Sequence, residues 1–237
     1  MVGTLVEYQD GDVTCEGYVS MPDGPGPFPT VLIVHQWAGI GDQERETADR
    51  LAAEKDYIGF AIDVYGKGVR GDPAGDNGHL VGTWFGDREA LLRRLMAAVD
   101  YVRNHPHTNN NKIGAMGYCF GGLCVLDIAR SGNTEVKGVV SLHGIFAPPG
   151  IGPQVEIGSK ILVCHGWDDP MADPQSVLGL AKELTDAGAN WQIHAYGNTA
   201  HAFTRKSANA PETGMNYSAD ADRRSWQASM NFFAELF

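Results

Sequence analysis

The sequence predicts an α/β fold with a mostly parallel central sheet and helices on both faces. Short apolar runs, typical of strands buried on both faces, alternate with longer helical segments over most of the 237 residues. A chain of this length with 43% hydrophobic residues fits a single domain, residues 1–237, better than two. Ligands of such sheets bind at the carboxyl ends of the strands, so residues that follow strands are the candidates for function.

The first half of the chain contains a hairpin, two buried strands and a long loop. Residues 4–20 alternate apolar and polar side chains around Asp10-Gly11-Asp12, which predicts a β-hairpin, and the Pro- and Gly-rich stretch to Pro29 must be a loop. Continuous apolar runs predict the buried strands, and apolar side chains on one stripe predict the helix that ends at Asn104. The predicted elements are strand 30–34, helix 42–55, strand 57–64, an irregular cleft loop at 65–83 and helix 86–104.

The second half repeats the alternation of strands and helices. Apolar runs again predict buried strands, and Gly188 lies where a C-terminal helix glycine belongs. The predicted elements are strand 113–116 with a helix after its glycine turn, strands 136–142 and 161–164, helix 174–187, strand 191–195 and helix 219–236.

The segment Lys112–Gly122 predicts a strand that turns at once into a helix around one cysteine. Gly117-x-Cys119-x-Gly121 has the spacing of a nucleophile elbow, with cysteine in place of the usual serine. Glycines two residues on either side avoid the collisions that side chains would make in so sharp a turn. At a helix N-terminus, the backbone dipoles favour a thiolate, and the N–H of Phe120 can face a developing oxyanion. Taken alone, the pattern favours a buried structural cysteine.

Two later strand ends supply the partners that a cysteine nucleophile needs. Asp168 and Asp169 follow strand 161–164, and His201 follows strand 191–195. The chain order Cys119, Asp169, His201 is that of nucleophile, acid and base in folds with such an elbow. Singly, an aspartate here could be a helix cap and His201 a surface histidine. Order and placement together favour a catalytic triad.

Other histidines are interpreted as structural. His105 and His107 lie in a polar segment at a helix end and are expected to be solvated. His35, His143 and His165 each follow a strand. We interpret these three as hydrogen-bonded packing residues on the floor of the cleft.

Composition excludes some classes of partner. The formal charge of −11, without a run of basic residues, argues against nucleic acid. No stretch is long and apolar enough to predict a membrane span, and the N-terminus has no signal-peptide pattern. The four cysteines show no zinc-binding spacing, so we expect free thiols, a cytoplasmic protein and no bound metal.

The residues around these three positions resemble the dienelactone hydrolase family of α/β-hydrolases. The resemblance rests on Gly117-Tyr118-Cys119-Phe120-Gly121-Gly122, on the turn that ends at Asp169 and on His201-Ala202-Phe203, and it runs from about Val31 to the C-terminus. It implies an α/β-hydrolase fold and an esterase for small carbonyl esters or lactones, with dienelactone to maleylacetate as the namesake reaction. It implies no metal and no organic cofactor.

The resemblance also assigns roles to residues. It implies Cys119 as the nucleophile, His201 as the general acid and base, and Asp169 as its orienting partner. The backbone N–H groups of Trp37 and Phe120 would form the oxyanion hole. We further expect a monomer or a weak homo-oligomer.

Several substrate-binding positions depart from the family pattern. Family members typically carry a glutamate where this chain has Gln36, so we expect Cys119 to rely on His201 alone. The namesake enzyme holds its substrate's carboxylate with two arginines. Arg205 matches one of them, whereas Lys67 stands at the other position and offers a point charge instead of a planar fork. Tyr118, beside the cysteine, is a further substrate-binding candidate. These positions predict an anionic ester and place dienelactone itself in question.

Three alternatives remain open on the sequence. A broad esterase or thioesterase would use the same triad. A thiol-based redox or electrophile sensor would use a reactive Cys119, although Cys124 lies on a different helix face and is a poor resolving thiol. A binding protein with a decayed hydrolase site would explain Gln36 but not the intact Cys, Asp and His.

Overall fold

The chain begins with the predicted hairpin, whose strands pair antiparallel around a turn at Gly11 and Asp12. The computed structural model describes residues 2–237. The strands are β1 (Thr4–Asp10), β2 (Val13–Ser20), β3 (Phe28–Val34), β4 (Ile58–Ile62), β5 (Thr108–Tyr118), β6 (Val136–Leu142), β7 (Lys160–Gly166), β8 (Trp191–Tyr196), β9 (Asn209–Ala210) and β10 (Met215–Asn216). The helices are α1 (Asp42–Lys55), α2 (Gly78–Gly86), α3 (Arg88–Arg103), α4 (Phe120–Arg130), α5 (Pro174–Asp186) and α6 (Ala219–Leu236).

One eight-stranded sheet forms the centre of the fold, in the order β1-β2-β4-β3-β5-β6-β7-β8. Within this sheet, the strands from β3 to β8 run parallel, and the antiparallel pairs are β1–β2 and β2–β4. The two central strands, β3 and β5, are neighbours, with Val34 opposite Gly117. The segment that follows β3 therefore lies beside the turn that carries Cys119.

Alternate side chains of the buried strands pack into two hydrophobic cores, one on each face of the sheet. Leu32 and Val34 of β3 pack with α3, α4 and α5, whereas Val31 and Ile33 pack with α1 and α6. Because successive side chains of a strand point to opposite faces, a strand buried on both sides is apolar at every position. This architecture confirms the predicted α/β class.

The region from Tyr65 to Asn104 differs from the prediction. The irregular segment ends earlier than expected, because α2 begins at Gly78 in spite of three glycines between residues 78 and 86. Leu80, Val81 and Trp84 of α2 pack against the core, and this burial compensates for the low helix propensity of glycine. Asp87 then breaks the helix and starts α3, since its carboxylate accepts a hydrogen bond from the N–H of Ala90 at 2.9 Å.

The remaining elements lie close to their predicted bounds. Strand β5 extends from Thr108 to Tyr118 and is longer than expected, with an irregularity in its pairing at Ile113. Two short strands, β9 and β10, form a separate ribbon after the predicted last strand. Among residues 2–237, no helix combines the length and the apolar character needed to cross a membrane.

Candidate active site

Cys119 lies on a strained turn between β5 and α4. Its φ is 54° and its ψ is −114°, a backbone region that residues other than glycine rarely adopt. A Cβ at position 117 would lie 2.1 Å from the carbonyl oxygen of Gly121, and a Cβ at position 121 would lie 2.1 Å from that of Val34. Both neighbouring positions therefore require glycine, as the motif predicts. Of the four free cysteines, only Cys119 is not fully buried.

His201 and Asp169 meet at the same edge of the sheet. Nδ1 of His201 and Oδ2 of Asp169 are 2.7 Å apart, and both side chains are buried. Asp169 follows β7, where its carboxylate also accepts the N–H of Met171 at 2.8 Å. The backbone of His201 is anchored to the β9–β10 ribbon, since its N–H donates to Gly214 and its carbonyl accepts from Asn216. The structure thus brings the second and third predicted residues into direct contact.

The Nε2 atom of His201 is buried and has no hydrogen-bond partner among residues 2–237. Burial alone would lower the pKa of His201. A thiolate at Cys119 and the hydrogen bond to Asp169 would outweigh burial and raise the pKa of His201 to about 10. Cys119 is therefore close enough for its charge to act on the ring. Such a pair is suited to an imidazolium beside a thiolate.

Two backbone amides close to this region in the fold have no acceptor in the described part of the chain. Neither the N–H of Trp37 nor the N–H of Phe120 donates to another group among residues 2–237. Phe120 is the first residue of α4, where backbone N–H groups have no intrahelical partner. Trp37 follows β3, next to the turn at Cys119. These are the two amides that the sequence assigned to an oxyanion hole.

The loop that carries Trp37 is fixed by a buried carboxylate at the start of α1. Glu44 accepts hydrogen bonds from the N–H of Gly41 at 2.8 Å and from the N–H of Gln36 at 3.4 Å. Burial raises the pKa of Glu44, and these two amide donors oppose that rise. Sequence reasoning missed Glu44, although a glutamate three residues after the N-cap residue Gly41 is the acidic half of a capping box.

The side chain of Gln36 turns toward α1. Its Nε2 donates to Oε1 of Gln43 at 3.0 Å, and Gln43 in turn donates to the hydroxyl of Thr204 at 2.9 Å. The amide of Gln36 is thereby held by the helix. No hydrogen bond joins it to Cys119 among residues 2–237.

A cleft of about 490 Å³ opens beside Gln36 and Trp37, and Cys119, Asp169 and His201 are not among the residues that line it. Its wall includes Gln36, Trp37 and Thr204, and three cations line it: Arg70, Arg205 and Lys206. Carboxylates of α1 face them from the other side. Asp42, Glu44 and Glu46 line the same cleft, so the three cations are matched by three acidic residues.

Arg205 and Arg70 are both anchored at the cleft. Arg205 donates to the carbonyl of Pro73 at 2.7 Å and to the hydroxyl of Ser207, and its Nη1 has no partner within residues 2–237. Arg70, which sequence reasoning missed, pairs with the buried carboxylate of Asp63 at 3.2 Å. A motif search could not find Arg70, because long-range contacts turn it toward the cleft.

Two predicted substrate-binding side chains lie elsewhere. Lys67 pairs with Glu7 of β1 on an exposed surface, and its backbone N–H donates to Thr14 of β2. Lys67 is not among the residues that line the cleft. Tyr118 is buried, and its hydroxyl lies 3.1 Å from that of Thr47 on α1. Contact of either side chain with a substrate stays a prediction.

The histidines at strand ends are buried, as expected. Nε2 of His35 accepts a hydrogen bond from the N–H of Val64 at 3.2 Å, and Nδ1 lies 2.6 Å from the carbonyl oxygen of Gln36. Because a carbonyl oxygen can only accept, Nδ1 carries the proton. Burial lowers the pKa of His35 to about 4. His143 makes one side-chain hydrogen bond, as predicted. Neither ring nitrogen of His165 has a partner in the described part of the chain, so the prediction of a hydrogen-bonded residue is wrong for His165.

No group of three or more His, Cys, Asp or Glu side chains among residues 2–237 is arranged to hold a metal ion. The candidate site consists of a thiol on a strained turn, a histidine–aspartate pair and two backbone N–H groups without an acceptor. These groups can carry out nucleophilic acyl chemistry, in which a thiolate attacks a carbonyl and amides bind the oxyanion.

Known proteins resemble this chain in sequence and in structure. The chain is 27% identical over 240 residues to a carboxymethylenebutenolidase of Pseudomonas putida, covering 99% of this chain and 96% of that protein. An uncharacterised protein of Caenorhabditis elegans is 34% identical over 154 residues, which is 64% of this chain and 98% of that protein. A crystal structure of a dienelactone hydrolase-like promiscuous phosphotriesterase from metagenomic libraries superposes with a TM-score of 0.91 at 32% identity, covering 99% and 98% of the two chains.

The family model described as "Dienelactone hydrolase family" matches residues 15–237, nearly the whole chain. This match agrees with the sequence of the elbow, with the sheet order and with the relatives just described. The chain belongs to the dienelactone hydrolase family and is a hydrolase of the α/β fold.

Proposed function

We propose that the protein hydrolyses small carboxylic esters or lactones through a covalent thioester on Cys119. The observation that carries this proposal is the buried, unpartnered Nε2 of His201, whose Nδ1 is held by Asp169 and whose pKa responds to the charge of Cys119. A buried polar atom without a partner is costly and is typical of a group kept free for chemistry.

The reaction runs in two acyl transfers. The thiolate of Cys119 attacks the carbonyl carbon, a C–S bond forms, and the oxyanion accepts hydrogen bonds from the amides of Trp37 and Phe120. The C–O bond then breaks, and the leaving alkoxide takes the proton on Nε2 of His201. Neutral His201 next takes a proton from water, the resulting hydroxide attacks the thioester, and the C–S bond breaks. The products are the acid and the alcohol, with the thiolate and imidazolium restored.

Asp169 orients this proton transfer. Its hydrogen bond to Nδ1 fixes the ring so that Nε2 faces the thiol, and its charge favours the imidazolium. Gln36 takes no proton in this scheme, because its amide is not a base and is bound to Gln43. His201 is the sole acid and base.

The substrates we propose carry a negative charge away from the scissile bond. Arg205 has a free Nη1 at the cleft, whereas Arg70 pairs with Asp63 and Lys206 pairs with Glu46. A substrate carboxylate would therefore gain a charge-assisted hydrogen bond. Lys67 is bound to Glu7 and serves as a matched control. Arg205→Met should lower kcat/KM for an acidic aryl ester and leave a neutral ester of equal size unchanged, while Lys67→Met should change neither. Equal rates on both esters in all three proteins would remove the anionic preference.

A second substrate class is a neutral aryl phosphotriester. It is suggested by the solved relative of 32% identity, whose title describes a promiscuous phosphotriesterase. The same thiolate would form a P–S bond and expel the aryloxide, and water activated by His201 would cleave the P–S bond. Diethyl p-nitrophenyl phosphate therefore belongs in the substrate panel.

The deciding experiment is a screen of small esters, lactones, thioesters and this phosphotriester. Wild type and Cys119→Ala are assayed side by side, with Cys124→Ala and Cys164→Ala as controls, because both of these thiols are buried. Mass spectrometry of the enzyme during the hydrolysis of a slow ester substrate should show the acyl group on Cys119. Full hydrolysis by Cys119→Ala would reject the proposed function.

A further inference from the structure

His143 is a buried residue for which the proposed reaction has no direct use. It follows β6 with a φ of 37°, a left-handed conformation that is uncommon outside glycine. Its backbone N–H is tied to the carbonyl of Cys164 at 2.9 Å. Residues held in such conformations cluster at functional sites, where the surrounding structure compensates for the strain.

The ring of His143 packs directly on the ring of His201. The two centroids are 5.1 Å apart with the planes at 70°, and Phe203 packs on His143 at the same distance from another side. Burial lowers the pKa of His143 well below its ordinary value, and the charge of His201 lowers it further. His143 is therefore neutral beside a charged His201, and it limits where the ring of His201 can turn.

A chain of side-chain hydrogen bonds fixes His143 in this position. Nε2 of His143 lies 2.8 Å from the hydroxyl of Thr204, which also accepts from Gln43 at 2.9 Å. Gln43 accepts from Gln36 at 3.0 Å. The chain therefore runs from the end of β3, through α1, to the end of β6.

Thr204 is the junction of this chain. It belongs to the loop of His201, only three residues further on, and its side chain is the one that bonds both α1 and β6. The left-handed turn at Ala202 and the hydrogen bond from Arg205 to Ala202 bend the loop so that the Thr204 hydroxyl points inward. Both hydrogen-bond partners of that hydroxyl come from elements distant in sequence.

We propose that Thr204 is a positioning residue, which holds the His143 ring against His201 and couples His201 to the segment that carries the Trp37 amide. The inference rests on the proposed thiol hydrolase function. Loss of the hydroxyl leaves the ring of His143 without its anchor and lets His201 turn away from Cys119. The thiolate then loses part of its stabilisation by the imidazolium.

The test measures alkylation of Cys119 by iodoacetamide at pH 7, together with kcat and KM for a p-nitrophenyl ester. Thr204→Val keeps the side-chain shape and removes both hydrogen bonds. It should slow alkylation and lower kcat roughly three- to tenfold, the range expected for the loss of one net hydrogen bond, with KM changed less than about twofold. Thr204→Ser keeps the hydroxyl and should restore both rates.

Gln43→Met provides the second variant, because it breaks the chain from a half-buried position on α1. It leaves the hydrogen bond between Thr204 and His143 in place, so alkylation and kcat should fall by a smaller factor than in Thr204→Val. A Thr204→Val protein that fails to fold therefore still leaves the proposal testable. Alkylation at the wild-type rate in Gln43→Met and in a folded Thr204→Val, with a loss of thermal stability only, would overturn the inference. If Cys119 of the wild type is alkylated rapidly but the protein hydrolyses no ester, the proposed function is rejected. The inference about Thr204 is still tested in that case, because the alkylation rates report on the position of His201.

Discussion

Gly121→Ala is predicted to disrupt the candidate site. The added Cβ would lie 2.1 Å from the carbonyl oxygen of Val34 and 2.8 Å from that of His35. Both are backbone atoms that cannot rotate away. An ordinary contact needs 3.4 Å, so α4 and the end of β3 must separate by the difference of about 1.3 Å.

That displacement acts on both proposed oxyanion donors. Phe120 precedes the substituted position, and Trp37 follows the segment that is pushed away. Because a misplacement of about 1 Å can reduce a rate about 10²-fold, and loss of one oxyanion donor costs about 10²–10³, turnover should fall by about 10²–10³. Overpacking should lower the free energy of unfolding by about 1–3 kcal/mol.

The assay combines kcat for a p-nitrophenyl ester with urea denaturation. Gly179→Ala is the matched control, since a Cβ there has no neighbour within 4 Å and the residue lies on the exposed side of α5. The control should keep full turnover and gain roughly 0.5–1 kcal/mol of stability from alanine in a helix. A folded Gly121→Ala enzyme with wild-type turnover would refute the assigned oxyanion geometry.

Three further predictions concern the acid–base groups. Asp169→Asn can offer an N–H to Nδ1 of His201, which favours the wrong tautomer, so kcat should fall by about 10³–10⁴. Because the pKa of His201 is raised in the fold, its contribution to stability is complete below pH 6.5 and is lost as the pH rises through about 10. In urea denaturation, the difference in the free energy of unfolding between wild type and Cys119→Ala should shrink across that window. Gln36→Glu places a second carboxylate beside buried Glu44, so the free energy of unfolding measured at pH 8 should fall by about 1–3 kcal/mol, and less at pH 5.

Each of these has a control or a contradicting outcome. Asp168→Asn changes an exposed neighbour and should leave kcat unchanged; equal losses in the two variants would show that Asp169 has no special role. An advantage over Cys119→Ala that stays constant from pH 6.5 to 10 would contradict the charge coupling. A many-fold rise in turnover in Gln36→Glu, with stability unchanged, would identify Gln36 as a handicap of this enzyme.

The sheet and the three central site residues could be predicted from sequence because their signals are local. Continuous apolar runs mark strands buried on both faces, and residues 136–142 form a strand with the predicted bounds. The chain order of Cys119, Asp169 and His201 identifies three strand ends, and parallel strands bring such ends to one edge. No long-range information is needed for these conclusions.

The cleft walls depend on contacts that local sequence does not contain. Lys67 is drawn to the hairpin by Thr14 and Glu7, whereas Arg70 is turned toward the cleft by Asp63. Two residues separate these two cations, and only tertiary pairing decides which one reaches the site. Helix α2 was missed for a related reason, because its glycines argue against a helix while its packing on the core outweighs that preference.

The burial of all cysteines except Cys119 determines how the protein responds to oxidants. A sulfenic acid on Cys119 would find no second thiol to condense with, because Cys124 lies within the fully buried helix α4. An internal disulfide cannot protect the site. Peroxide would therefore drive the sulfur on to the irreversible sulfinic acid unless a small thiol such as glutathione capped it first. The lifetime of the active enzyme under oxidative stress would then depend on the low-molecular-weight thiols around it.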